Sequence, residues 1–139
     1  MDGIMTYNSS KVKIALGSHS VTGYAEDSFV VIEPIDSGVT SKAGCDGEIV
    51  RSVDPNERFT VKLTLLASSQ THKFLMNKYN QDKKNGTGIF PILVNDLTGE
   101  EKFSASKAWV AKIPSKTNGM QSQNKEWTLE TGQAIAAYE

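Results

Sequence analysis

The sequence predicts a mainly β fold: a β-sandwich or partly closed barrel with one packed α-helix. Three observations carry that expectation. Apolar residues recur at alternate positions in several short runs, as they do in half-buried strands. Glycine and polar residues punctuate those runs at short intervals. A single stretch near the middle of the chain shows helical spacing instead. Strands on either side of one helix pack most simply as folded sheets with the helix laid against them.

From the N-terminus, Lys11–Leu16 alternates, and Val12, Ile14 and Leu16 share one face. His19-Ser20 turns the chain into a second short run through Val21 and Tyr24. Phe29-Val30-Val31-Ile32 is a continuous apolar run, which Pro34 keeps from being a central strand. Glu48–Val53 is another short β segment. The clearest strand is Arg58–Leu66, where Phe59, Val61, Leu63 and Leu65 alternate with Arg58, Thr60, Lys62 and Thr64. Such alternation gives one buried face and one face that is wet or forms an interface.

The helix is expected from about Gln70 to about Lys83. Ser68 or Ser69 caps it by accepting a bond from a free backbone N–H two or three residues on. Phe74, Leu75 and Tyr79 form its apolar stripe, with Met76 at the edge. Lys83 and Lys84 suit the carbonyl end of the helix dipole, and Asn85-Gly86-Thr87-Gly88 stops it. Three strands complete the chain. Ile89–Val94 leads into a turn at Asn95-Asp96 and Thr98-Gly99. Lys102–Ile113 follows, with Phe103, Ala105, Trp109 and Ala111 read as inward. Glu126–Thr131 carries Trp127 and Leu129.

No repeat, linker or shift in composition divides residues 1–139, which predicts one domain. Asp36–Glu57 stands apart: it is rich in Gly and Ser yet lies between convincing strands. Long loops in small domains are functional or disordered. Its strand-like ends predict a protruding loop or hairpin, poorly supported alone and ordered against a neighbouring subunit.

Composition excludes several classes. A chain of 139 residues buries enough surface to fold without a metal or disulfide staple. Fifteen basic and sixteen acidic residues leave a net charge of −1, unlike a strongly basic nucleic-acid binder or a polybasic membrane anchor. The single cysteine, Cys45, excludes an intramolecular disulfide and a multi-cysteine metal site. No apolar run reaches the roughly 18 residues of a membrane span. Met1–Ser10 lacks the apolar core of a signal peptide. These features predict action in the compartment of synthesis, or exit by a route that reads no leader.

Catalytic groups are scarce. His19 lies between Ser18 and Ser20, but adjacent residues rarely give nucleophile–base geometry, and no Gly-x-Ser-x-Gly elbow is present. A small hydrolase built on His19 is therefore disfavoured against a surface-turn histidine. His72 has Met76, not a second ligand, four residues on, and reads as a plain exposed helix residue. Cys45 has an acid, Asp46, and no activating cation beside it. Asp46-Gly47-Glu48 falls far short of a calcium loop. No carboxylates pair as acid and base. An enzyme, a cofactor and a metal are accordingly not expected. Trp109 and Trp127 read as core. The competing reading makes them, with Tyr24, a stacking platform of a sugar-binding β-sandwich.

Charge distribution is more informative. Asp36–Glu57 holds five acids and two bases, a balance of −3. Residues 69–85 hold four lysines and one acid, a balance of +3. An acidic arm carrying Lys42, Asp46, Glu48 and Arg51 can thus dock on a basic helix face carrying Lys73, Lys78, Lys83 and Lys84 of the next copy. Heterologous contacts of this kind build rings or filaments, and matched charges set their register.

An ordered set of segments then carries a resemblance. It comprises Lys11-Val-Lys-Ile-Ala-Leu16, Val21-Thr-Gly-Tyr-Ala25, Lys42-Ala-Gly-Cys-Asp-Gly-Glu48, Phe59-Thr-Val-Lys-Leu63 and Phe74-Leu-Met-Asn-Lys-Tyr-Asn80. Phe90-Pro-Ile92, Asp96-Leu-Thr-Gly99, Ala108-Trp-Val-Ala-Lys-Ile-Pro114 and Glu126-Trp-Thr-Leu-Glu-Thr-Gly-Gln133 complete it. In order and spacing these segments resemble the small tail-tube proteins of contractile-tailed phages and phage tail-like particles, over almost the whole chain.

That resemblance implies a β-sandwich or barrel-like core with a helix at its side. It implies hexameric rings whose sheets join around a channel and stack into the inner tube of a virion tail. A long loop reaches the adjacent ring; residues 36–57, with Lys42, Asp46, Glu48 and Arg51, are the candidate. Implied partners are further copies of the chain, a sheath outside, tape-measure protein and transiting DNA inside, and a baseplate and terminator at the ends. Synthesis in the host cytoplasm and no membrane anchor are also implied. The alternative within the resemblance is a tube or tube-initiator subunit of a related injection or secretion machine. A near-neutral chain suits a conduit, because tight phosphate contacts would hold DNA back.

Overall fold

The computed structural model describes residues 12–23, 30–96, 101–115 and 124–138. Strand β1 (Val12–Leu16) buries Val12, Ile14 and Leu16, then turns through Gly17 into the short β2 (His19–Ser20). Strand β3 (Val30–Pro34) ends at its proline and, among the described strands, pairs only with the strand after the arm. The arm consists of β4 (Val39–Ala43) and β5 (Ile49–Val53). These two pair with each other and with no other described strand. Strand β6 (Phe59–Leu65) keeps the expected alternation, with Val61, Leu63 and Leu65 buried. Tyr24, Phe29 and the turn expected at Thr98-Gly99 lie outside the described residues.

Helix α1 (Thr71–Asn85) fixes its end as glycine punctuation requires. Gly86 takes the left-handed conformation at φ 73°, and its N–H bonds to the Asp82 carbonyl. Its start has the serine expected there, one residue before the cap position. Gln70 occupies the cap position without a side-chain bond. Ser69 accepts the Thr71 N–H at 3.2 Å and donates to the Thr22 carbonyl, tying the helix start to the segment after β2.

Strands β7 (Phe90–Asp96), β8 (Glu101–Lys112), β9 (Lys125–Thr131) and β10 (Ala134–Tyr138) complete the sheet. All strands are antiparallel, in the order β2-β1-β7-β8-β9-β6-β3. The long β8 takes two partners in succession on one side: β10 along residues 101–105 and β9 along residues 108–112. The order does not close on itself, so the sheet is not a barrel. It folds over one apolar cluster that includes Leu16, Leu63, Leu75, Phe90, Phe103, Trp127 and Leu129. Phe59 of β6 meets Phe103 of β8 edge-on at 5.1 Å across this core.

Two expectations about the strands are corrected. Trp109 and Ala111 do not point inward; Ala108 and Val110 do. The cause is a bulge: Phe90 pairs with Ala108 but Ile92 pairs with Ala105, so β8 carries one extra residue between them. Side chains before the bulge face inward at odd numbers and after it at even numbers. Strand β10 was not anticipated at all. Its sequence, Ala-Ile-Ala-Ala-Tyr, is short, weakly patterned and separated from β9 by only Gly132 and Gln133.

Candidate assembly surfaces

The arm exposes every one of its strand residues. Directly paired residues share a face, so one face carries Val39 with Val53, Ser41 with Arg51 and Ala43 with Ile49. The other carries Thr40 with Ser52 and Lys42 with Val50. Ile49 and Val53 are 67% and 70% exposed, far more than a folded chain usually leaves such side chains. A two-stranded hairpin is marginal alone in water. At the tip, the Asp46 carboxylate accepts the Glu48 N–H at 3.1 Å, and Gly44 N–H bonds to the Glu48 carbonyl at 2.7 Å. Cys45 is exposed there. Lys42 and Arg51 therefore sit on opposite faces of the arm, with Asp46 and Glu48 beyond both.

The arm is clamped at its root. Asp54 N–H donates to the Gly38 carbonyl at 2.9 Å. Below it, Arg58 Nε and Nη2 donate to the two Asp36 carboxylate oxygens at 3.0 and 3.1 Å. This forked bond holds the Asp36 carboxyl below its ordinary value of 3.8 and pushes the Arg58 guanidinium further up.

The four helix lysines divide. Lys78 Nζ stands 5.6 Å from the centre of the Phe74 ring, and Lys83 Nζ 5.5 Å from that of Tyr79, so both lean on their own chain. Lys73 and Lys84 are exposed. No arm residue is brought to any of them within the chain.

Both histidines anchor the helix. His19 stacks on Phe74 with ring centroids 4.7 Å apart, and its Nε2 lies 3.0 Å from Thr71 Oγ1. His72 is not the plain exposed residue expected. Its Nδ1 accepts the Trp127 indole N–H at 2.9 Å, and its Nε2 lies 2.8 Å from the Leu66 carbonyl. An indole can only donate, so the proton resides on Nε2 and is donated to Leu66. Trp127 is buried and Trp109 partly buried, so they form no shared exposed platform for a sugar. Among the described residues, no three His, Cys, Asp or Glu side chains gather where a metal could bind. No helix among them is long and apolar enough to cross a membrane.

The sheet contributes the remaining surfaces. Among the described strands, β3 and β10 each pair on one side only, leaving backbone edges. Registers also place outward residues in rows across the strands. One row is Ala15–Leu93–Ser104–Ile135, flanked by Lys13–Asn95–Lys102. Another is Val31–Lys62–Thr128. None of these rows was readable from the sequence, because strand pairing decides them.

An open, folded antiparallel sheet with a side helix, sheet edges and an arm paired with no other described strand presents surfaces of the kind that structural assemblies use. Solved structures share this fold. A sheath/tube terminator of the extracellular contractile injection system PVC aligns with 97% of the chain and 99% of its own, at a TM-score of 0.63 and 12% identity. The tube-terminating cap of the anti-feeding prophage aligns with 100% and 97%, at 0.56 and 11%. A PVC sheath-tube complex chain aligns with 93% and 89%, at 0.59 and 12%. In sequence, Structural protein ORF10 of Pseudomonas phage KPP10 is 26% identical over 132 residues, spanning 89% of this chain and 76% of that protein. The sequence model of the Bacteriophage PhiTE tail tube protein family matches residues 6–137, and the chain belongs to that family. It is a structural component of a phage tail, and so of the virion, and not an enzyme.

Proposed function

We propose that this chain is the repeating subunit of a tail inner tube. Six copies join sheet edge to sheet edge into a ring, rings stack, and the channel carries tape-measure protein during assembly and DNA afterwards. A sheath surrounds the tube, and a baseplate and a terminator close its ends. The observation that carries this reading is the arm, a hairpin that pairs with no other described strand and holds Val39, Ile49, Val50 and Val53 in water. Apolar surface of that kind is stable against a second molecule. Residues 36–57 serve as the inter-ring contact, with Lys42, Asp46, Glu48 and Arg51 setting register. The open edge of β3 is the joint within a ring. The helix lysines Lys73, Lys78, Lys83 and Lys84 offer a second, polar contact face.

The test is negative-stain electron microscopy of the purified protein across a concentration series, with mass by light scattering. Rings or hollow tubes of uniform width are expected. Protein that remains monomeric at every concentration, with and without a baseplate nucleus, overturns the proposal. A second reading is a subunit that ends or starts a tube, supported by the two terminator proteins among the structures sharing this fold. It predicts single rings that cap tubes and never elongate.

A further inference from the structure

We infer that the arm of one copy seats on the outward face of β1, β7, β8 and β10 of a second copy, and not on its helix. The inference rests on the tube reading above and adds the surface on which the arm lands.

The acceptor row is set by strand register. Ala15 pairs with Leu93, Leu93 with Ser104, and Ser104 with Ile135, so the four lie side by side across four strands. The facing inward row, Ile14–Val94–Phe103, is buried, which fixes the first row as outward. Leu93 is 37% and Ile135 68% exposed, so the strip is open to solvent at those two positions. Four strands at about 4.8 Å spacing make the strip about 14 Å long. The apolar face of the arm, from Val39/Val53 to Ala43/Ile49, advances four residues, or about 13 Å. Donor and acceptor therefore match in length as well as in chemistry.

Charge matches too. Lys13 and Lys102 flank the strip in the adjacent row, and both are exposed. Asp46 and Glu48 stand at the arm tip, just past its apolar face. Each side also breaks its apolar run with polar side chains near the middle: Ser41 and Arg51 on the arm, Ser104 on the sheet. The alternatives fit less well. Among the described residues, none of the exposed large apolar side chains lies on α1, so the arm's valines and isoleucine would gain little there. Lys78 and Lys83 are moreover occupied by their own aromatic rings. The second outward row places Lys62 and Thr128 beside Val31 and offers no apolar strip.

Cys45 supplies the test, because it is the only thiol and sits at the arm tip. Ser104→Cys and Lys78→Cys are made separately in the full chain, assembled, and treated with a short bis-maleimide. On a denaturing gel, Ser104→Cys gives a ladder of multimers, since each chain then offers one arm thiol and one acceptor thiol. The wild type, with one thiol, stops at dimers, and adding Cys45→Ser abolishes the ladder. As an independent arm, Leu93→Asp with Ile135→Asp leaves the melting transition in place and loses stacked particles. A ladder from Lys78→Cys overturns the inference, as do assembled particles in which Ser104→Cys gives none. Stacked particles from the double aspartate variant also overturn it. In these cases the tube reading stands. Failure of every variant and of the wild type to assemble overturns both.

Discussion

His72 holds two parts of the molecule that the chain separates widely: it accepts from Trp127, 55 positions away, and donates to Leu66. A buried donor left without a partner costs about 1–3 kcal/mol. His72→Ala is expected to lower unfolding stability by about that much, read from urea melts, with a shift in Trp127 emission. Nothing in the sequence marks this role, since a helix histidine looks the same with or without a tryptophan above it. Asp36 is different in kind, because its effect depends on pH. Its native value is depressed by the Arg58 fork, so the contact stabilises at and above the ordinary carboxylate value of 3.8 and is lost as pH falls through the lower native value. An Asp36 titration followed by NMR should show a midpoint below 3.8, moved up towards it by Arg58→Ala. Arg58 is 46% exposed and Asp36 19%, and the fork ties only the root of the arm, so the expected readout is looser protection of arm amides in acid and not global unfolding.

Elements with one buried face were legible; those defined by partners were not. β1, β6 and β9 declared themselves because alternation records burial directly. β8 misled over its second half, because the extra residue opposite Phe90–Ile92 inverts the alternation midway and leaves no mark in composition. β10 went unseen because alanine-rich segments carry no strand preference of their own. The glycines after α1 stop the helix, as their position predicts, but their roles differ. Gly86 supplies the left-handed turn. Gly88 is needed for space: its N–H bonds to the Asp82 carboxylate at 2.7 Å, and an added Cβ would overlap the Lys78 carbonyl oxygen. Gly88→Ala is therefore expected to cost about 1–3 kcal/mol by forcing the last helical turn away from β7. Gly38→Ala, at a position with open space around it, should be close to neutral in the same urea melts.

At the scale of the whole molecule, core and arm are energetically separate. Every residue of the apolar cluster lies outside β4 and β5. Removing residues 39–53 and joining Gly38 to Asp54 through a short turn should leave the melting temperature within a few degrees of the full chain, since the removed side chains bury nothing. The same deletion should leave rings that do not stack, visible by electron microscopy. The sequence located this arm by its glycine and serine content and its strand-like ends. The surface proposed for its landing is not legible there, because four strands must be aligned before Ala15, Leu93, Ser104 and Ile135 become neighbours.

The root of the arm has one more consequence, for how such a protein can change. A single Gly38–Asp54 backbone bond and the Asp36–Arg58 fork separate hairpin from core, so length can be added or removed above them without touching the fold. Yet the change is quantised. Inserting one residue in each strand at the root, before Val39 and after Val53, exchanges the two faces, turning Val39, Ile49 and Val53 away from whatever they cover. Inserting two in each restores the faces and lengthens reach by about 6.6 Å. Related subunits that space their neighbours differently should thus have arms that differ by whole pairs, with odd lengths absent or absorbed by a bulge.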